Sequence, residues 1–489
     1  MVKVIKKILS RPRYLFLLSI VLVFFFLRSY HLSSDLLFHR DQGLHSLSIW
    51  QIWHEGKISL LGHPSDVDGL THAPIYYWLM LPAYALSGGD PAVASLFQIG
   101  LEALSLPFLF LAIKRLFNTK TARLTLILYT FSYGLISYSR WLVNVTPIFA
   151  LTNFLLFTLS FKKQNWKILF SSALLVGVIT QCNAAIGIFL FPFLLWFYLR
   201  PFKFSNLILL LLGFLLPAFP LFVFELRHNF VLSNALLGFS GGGQGLGLPF
   251  KTLISNTHVF FTEMSHITSY PFTWPAVVLF LLGLFQVRHL KSKTLIYAYL
   301  LIPFISLSFF QRGAISFFLV SLFSLSLAVI AYFISSLSHF LMVIIVSVLI
   351  LFNLSNLPQV YQPTNALTPI GNANLITLQD RKNTLDWMYQ QADGQPFSVW
   401  FYTIPYFQEE VWDYMFFWYG QKQYGYLPEK TSSFSPNDLQ DSKIFFAVWE
   451  PDVDQPTKLN SWHQEVVNNF GDFVGEFNTH DLSMRKYDI

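Results

Sequence analysis

The residues whose types and spacing could do chemistry are concentrated between Tyr30 and Pro91. This polar stretch follows the first long apolar run. It holds FHRDQG (Phe38 to Gly43) and, beyond a glycine-bounded linker, THAPIYYWLMLP (Thr71 to Pro82). A strongly apolar chain tolerates such polarity beside a span only where it is wet or where it works. Asp41 is the leading candidate for a catalytic group. A carboxylate at a membrane face takes the proton of a hydroxyl that reaches hydrogen-bond distance, which is the task of a general base. The same residue could instead cap a helix starting near Gln42, since Asp is a favoured N-cap and LHSLSIWQIW continues with helical periodicity. The two roles are compatible, because a capped helix start fixes a side chain rigidly.

Around Asp41 stand groups that could bind rather than react. His72 precedes Ala73-Pro74, and Tyr76 and Tyr77 follow one helical step on. At the mouth of a cavity a His or Tyr can hold a phosphate oxygen, whereas interfacial Tyr pairs ordinarily serve as anchors. Arg140 in YSRWLVN and Arg312 in FFQRGAI lie at span ends opposite the side where positive charge is expected. Each therefore needs a reason: snorkelling to lipid headgroups, or holding an anionic polyprenyl phosphate. Asn144, in the same word as Arg140, joins this binding set. Its NVT, like NLS at Asn353, matches the glycosylation acceptor pattern, but both abut apolar spans and read as chance. Asp66 and Asp68, with His39, His45 and His63, could ligate a divalent cation, yet no spacing among them matches a recognised site. No metal is assigned, and a divalent cation stays open.

These residues must be positioned by a polytopic membrane protein. The chain has 489 residues, 54% hydrophobic and only 12% charged, with a mean hydropathy of +0.50; this excludes an ordinary soluble domain. The net charge of +6 sits in short tracts between apolar runs, the pattern that orients a membrane protein rather than one that binds nucleic acid. The lone Cys182 excludes an intrachain disulfide and a Cys-based metal cage. The basic N-terminus precedes an apolar run without a small-residue cleavage site, so it reads as an uncleaved first span. At about 20 residues per span, runs near 15–29, 92–113, 122–138, 143–161, 167–182, 184–199, 204–224, 275–287, 295–310, 316–333 and 339–355 suggest about eleven helices. The basic loops 114–123, 161–167, 200–203 and 288–293 then fall on the cytoplasmic side with the N-terminus. A first outer loop (30–91), a second (225–274) and the C-terminal segment fall outside the cytoplasm. YYWLMLPAYALS (76–87) is expected to lie in the outer interface, since a full span there would invert every later loop. GFSGGGQGLGLP (238–249) fits neither GxGxxG nor a P-loop and reads as a linker or a lid.

Residues 1–355 thus form the transmembrane catalytic domain and 356–489 a small α/β domain. In the latter, LQDRKNTLDWMYQQA and YFQEEVWDYMFFWYG read as helices, PFSVWFYTI and KIFFAVWE as strands. No catalytic motif appears there, so its expected role is packing or acceptor recognition.

FHRDQG, then LLGHPSDVDGLTHAPIYYWLMLPAY, then GDPAVASLFQIGLEALSLPFLFLAIKRLF and YSRWLVNVTPIFALTNFLLF resemble, in order and spacing, the bacterial glycosyltransferases of the protein O-mannosyltransferase and aminoarabinose transferase superfamily (glycosyltransferase family 39-like). The resemblance covers about the first third of the chain. It implies a GT-C fold, a lipid-linked sugar donor and an active site at the outer face of the plasma membrane. The family's acidic pair in the first outer loop, whose leading Asp is the general base, maps onto Asp41. Its second member is here Gln42, as in an Asp-Gln branch, and Gln42 is expected among the residues that bind the donor phosphate. The family's Lys-Pro-Pro becomes His72-Ala73-Pro74, so the lysine contact to the donor phosphate would pass to His72, Arg140 or Arg312. One carboxylate suffices for the chemistry, because a phosphate leaves as a stabilised anion and needs only cationic support. The expected function is inverting transfer of a sugar from a polyprenyl-phosphate donor to a protein, glycolipid or wall-polymer acceptor. The rivals are a metal-dependent oligosaccharyltransferase or ligase and a lipid-linked sugar flippase. Flippases commonly show internal repeats, and none is found here.

Overall fold

Asparagine and serine side chains cap several of the helices of this chain, at Asn118, Ser132, Asn165, Asn183 and Ser338. The computed structural model describes residues 12–65, 69–241, 250–310, 313–361, 375–406, 408–430 and 442–489. It resolves into two compact units interleaved along the sequence: Met1–Tyr30, Ile58–Met80 and Ser95–Val360 in one, His31–Lys57, Leu81–Ala94 and Tyr361–Ile489 in the other.

The first unit is helical. Among the described residues, four helices are long and apolar enough to cross a membrane: Pro91–Leu116, Phe204–Arg227, Ser316–Ser336 and His339–Tyr361. A bent pair, Phe250–Thr268 and Thr273–Val287, makes a fifth span if counted as one. The other apolar runs are helices of 10–17 residues, including Tyr14–Ser29, Pro147–Leu159, Trp166–Cys182, Ala184–Tyr198 and Lys293–Ser308. Their shortness has a local cause. Ser132 ends the helix Thr119–Phe131 and opens Tyr133–Arg140 by accepting the Leu135 N–H. Asn183 closes Trp166–Cys182 and caps Ala184–Tyr198 through the Ile186 N–H, as short polar side chains do at helix starts. The segment expected as the second outer loop, 225–274, is largely helical, with Val231–Gly241 and Phe250–Thr268. Buried Asn256 and Glu263 interrupt the apolar face of the latter and hide it from a hydropathy reading. The glycines from 242 to 249 lie outside the described residues.

The second unit carries a five-stranded sheet, β1 Phe397–Tyr402, β2 Glu429–Lys430, β3 Ile444–Trp449, β4 Gly475–Asn478 and β5 Ser483–Asp488, in the order β2-β1-β3-β5-β4. β1 runs parallel to β2 and β3, and β5 antiparallel to β3 and β4. FSVWFY and IFFAVW are almost wholly buried and, apart from Ser398, apolar, because central strands are covered on both faces. One face, with Trp400, Tyr402, Phe445 and Tyr487, packs on Trp462 and Val466 of the helix Pro456–Phe470. The other meets the helix Leu378–Ala392 through Trp387 on Phe446 and Tyr389 on Phe397. The segments 31–57 and 81–94 belong to this unit.

Candidate functional site

FHRDQG is the entrance to the helix Arg40–Glu55. His39, not Asp41, is the N-cap, and Asp41 stands in the first turn; the capping role expected of Asp41 is corrected accordingly. The His39 ring faces the Gln42 backbone N–H, and Gln42 Oε1 accepts the His39 N–H at 2.9 Å, a reciprocal capping box. This arrangement releases Asp41. Its side chain is 55% exposed, and its one partner among the described residues is Arg40 Nη1 at 3.5 Å. Gln42, by contrast, is buried, with Nε2 unpartnered.

The backbone before Asp41 is fixed from the C-terminal segment. The Phe38 N–H donates to the Ile376 carbonyl (3.0 Å), and the Leu378 N–H donates to the Leu36 carbonyl (2.8 Å). Leu37 bridges Thr377. Arg381 Nε donates to the Phe38 carbonyl at 2.8 Å and its Nη2 to Glu450 Oε1 at 2.9 Å. On the helix itself, Gly43 lies so close to the helix Glu410–Met415 that a Cβ there would fall 2.3 Å from Val411 Cα. Burial, aided by the Arg381 charge, pushes the His39 imidazole down to about 3, so it is neutral at physiological pH.

The other candidates fall in the first unit, apart from Arg312, which lies outside the described residues. A short antiparallel turn, held by Gly62 N–H to His72 O (2.7 Å) and His72 N–H to His63 O (3.0 Å), brings two imidazoles face to face. His63 and His72 stack with centroids 4.2 Å apart, each 4% exposed. Tyr76 and Tyr77 meet His63 edge-on. Asn144 Nδ2 lies 2.9 Å from His63 Nε2 and 2.5 Å from the Cys182 carbonyl. The Ala73 N–H is received by Gln181 Oε1 at 2.9 Å, which fixes the helix start before the tyrosines. Tyr76 Oη points at Gln98 Oε1 (3.4 Å), and Gln98 Nε2 donates to the Trp141 carbonyl. His72, Tyr76, Tyr77 and Asn144 are therefore brought together around His63.

Arg140 is placed differently. It is buried, and its Nη1 donates to the carbonyls of Arg28 (2.9 Å) and Tyr30 (2.7 Å) at the end of the first helix. Snorkelling to headgroups is excluded by that burial. Beside it runs a network that sequence reasoning missed. Arg28 Nε donates to Ser139 Oγ (2.9 Å), Ser139 Oγ lies 2.7 Å from Glu102 Oε2, and Tyr129 Oη donates to Glu102 Oε1 (2.7 Å). The signal was present in Glu102, a lone carboxylate inside an apolar run, which marks a built polar site by its cost alone. Arg381 and Glu450 carried no such signal, being ordinary charges in a polar segment. Among the described residues no three His, Cys, Asp or Glu side chains gather as a metal site; Asp66 and Asp68 lie outside them.

Residues 71–224, less than a third of the chain, match the family model for dolichyl-phosphate-mannose-protein mannosyltransferases. The fold resembles ArnT from Cupriavidus metallidurans bound to undecaprenyl phosphate, with a TM-score of 0.63 at 11% identity over 96% of this chain and 97% of that one. The chain has the GT-C fold. The apo form of the same ArnT matches this GT-C chain with a TM-score of 0.59 at 12% identity, over 96% and 97% of the two chains. The archaeal oligosaccharyltransferase AglB from Archaeoglobus fulgidus aligns at 0.48 and 12%, over 94% of this chain and 72% of that one. No curated protein matches by sequence. The GT-C fold with its small C-terminal sheet is thus as the resemblance implied, and the chain is an integral membrane protein.

Proposed function

We propose that this GT-C chain transfers one sugar, with inversion, from a polyprenyl-phosphate donor to a hydroxyl acceptor outside the cytoplasm, with Asp41 as general base. The observation that carries this reading is the half-exposed Asp41 carboxylate on a backbone pinned at Leu36, Phe38 and His39. A base does its work when its position is fixed and its oxygens are not already spent. As the acceptor oxygen attacks the anomeric carbon, its proton passes to Asp41. The bond from that carbon to the phosphate oxygen breaks on the opposite face, and the electron pair leaves with the phosphate. Attack opposite the leaving group inverts the configuration.

The donor class is supported by the ArnT relative, solved with undecaprenyl phosphate, and by the family of the matched segment. The His63–His72 pair with Asn144, Tyr76 and Tyr77 supplies N–H and O–H groups suited to phosphate oxygens, in the place where the family's lysine is missing. Gln42 serves the cap, not the donor. The orientation, with polar loops outside and basic loops inside, follows the positive-inside rule.

The test is donor turnover by the full-length protein in nanodiscs, with a panel of radiolabelled polyprenyl-phosphate sugars. Asp41→Asn is expected to lose turnover by about a hundredfold or more while donor binding persists. Normal turnover in the variant removes Asp41 as base. Movement of donor between leaflets without transfer would overturn the enzymatic reading.

A further inference from the structure

The role expected of the C-terminal segment, packing or acceptor recognition, leaves one feature unexplained: a buried guanidinium that bonds both the loop that carries Asp41 and Glu450. Resting on the assignment of Asp41 as base, we propose that Arg381 is its positioning residue, acting through the Phe38 carbonyl, with Glu450 holding the guanidinium in place.

Arg381 is 1% exposed. Its planar fork spans two targets that no single bond would join. Nε grips the Phe38 carbonyl, three residues before Asp41, and Nη2 grips Glu450, the residue directly after β3. The far side of the pair is anchored as well. Glu450 Oε2 accepts the Ile404 N–H at 3.3 Å, and the Glu450 N–H donates to the Tyr402 carbonyl at 3.0 Å, so the carboxylate is tied to the ends of both central strands. The guanidinium also lies 4.7 Å over the Trp412 ring, on the helix against which Gly43 packs. Phe38 itself is fully buried and meets Tyr414. The sheet is therefore connected to the catalytic loop by one side chain.

A buried ion pair is weak as a source of stability, since apolar residues of similar volume often replace it without loss; its best-attested use is to fix a register. Here the register it fixes is that of Phe38, and hence the direction in which the helix Arg40–Glu55 presents Asp41. A guanidinium suits this because its donors diverge in a fixed plane, which a lysine ammonium cannot copy. A displacement of about 1 Å at a reacting group can cost on the order of a hundredfold in rate.

The experiment uses the full chain in nanodiscs and single-turnover kinetics of Arg381→Lys, Arg381→Met and Glu450→Gln, each alone and combined with Asp41→Asn. Arg381→Lys keeps the charge beside Glu450 but loses the Nε donor to Phe38; it is expected to lower kcat by about tenfold or more with the donor KM unchanged. On the Asp41→Asn background the same substitution is expected to cost nothing further, because a positioner has no effect once the group it positions is gone. A merely structural role would instead multiply the two losses. Wild-type kcat in Arg381→Lys, or multiplied losses, overturns the proposal. If Arg381→Met does not give monodisperse protein, Arg381→Lys decides alone. Full turnover by Asp41→Asn would mark failure of the functional reading itself, whatever the Arg381 variants do.

Discussion

At the scale of single residues, His39 and Asp41 show how neighbours with similar exposure prospects are sorted by local structure. His39 turns inward and caps; Asp41 stays outside. Because the folded His39 has its imidazole pushed down to about 3, it stays neutral while the unfolded chain takes up a proton near 6.5. The unfolded state then binds more protons below that pH, so stability falls as pH drops from about 6.5 toward 3 and is unaffected above it. The slope from this one group is at most about 1.4 kcal/mol per pH unit. His39→Asn, which keeps a capping side chain, is expected to flatten the fall, read as the difference in Tm between pH 7.5 and pH 5. Equal falls in both proteins would exclude His39 as the source. Asn144 offers a second residue-scale prediction. Asn144→Ala removes the group bridging His63 Nε2 and the Cys182 carbonyl, so donor KM should rise several-fold while kcat changes little. An unchanged KM would separate the histidine pair from donor binding. Asp41 stood out in the sequence because FHRDQG sets a carboxylate directly after an aromatic-basic run. Its true place in the first turn was not, since His is an uncommon cap and no propensity scale favours it over Asp.

At the scale of elements, Gly43 decides how closely two helices approach. The atoms a methyl would meet are Val411 Cα, Cβ and N, two of them backbone. Gly43→Ala should therefore destabilise by about 1–3 kcal/mol, as overpacking does, and trimming Val411→Ala should not restore it. Recovery in the double variant would mean that the contact is made by side chains alone. The elements themselves were unevenly legible. β1, β3 and the helix Leu378–Ala392 were announced by long apolar runs and a 3.6-residue period. The helix Pro456–Phe470 and the β4–β5 pair were not, because SMRKYD and GEFN are half-exposed strands whose alternation includes charges. In the membrane-spanning part, hydropathy located the apolar runs and the break at Asn183 but not the one at Ser132, which depends on a hydroxyl reaching a free N–H.

At the scale of the whole molecule, the order of the chain does not follow its units. Residues 31–57 and 81–94 are separated in sequence from the segment they belong with, and composition cannot reveal this, since pairing across such a distance leaves no local pattern. The 375–489 segment expressed alone should lack its complement and give a poorly dispersed NMR spectrum. A well-dispersed spectrum would show that it folds without the loop segments. Turnover is expected to persist in chelator if phosphate release relies on side-chain donors; loss on chelation, restored by a divalent cation, would favour the metal-dependent ligase instead.

The bond from Arg381 to Phe38 joins residues 343 positions apart. At about 5–20 residues per second, Phe38 leaves the ribosome roughly 20 to 70 s before Arg381 exists. Throughout that interval the segment that will hold Asp41 lacks its bonds to the C-terminal segment, though Ser46 can already meet Tyr84. Its anchor to the C-terminal segment can form only once Arg381 has been made, and a ribosome that stalls before residue 381 leaves behind a chain whose Phe38 carbonyl lacks that donor.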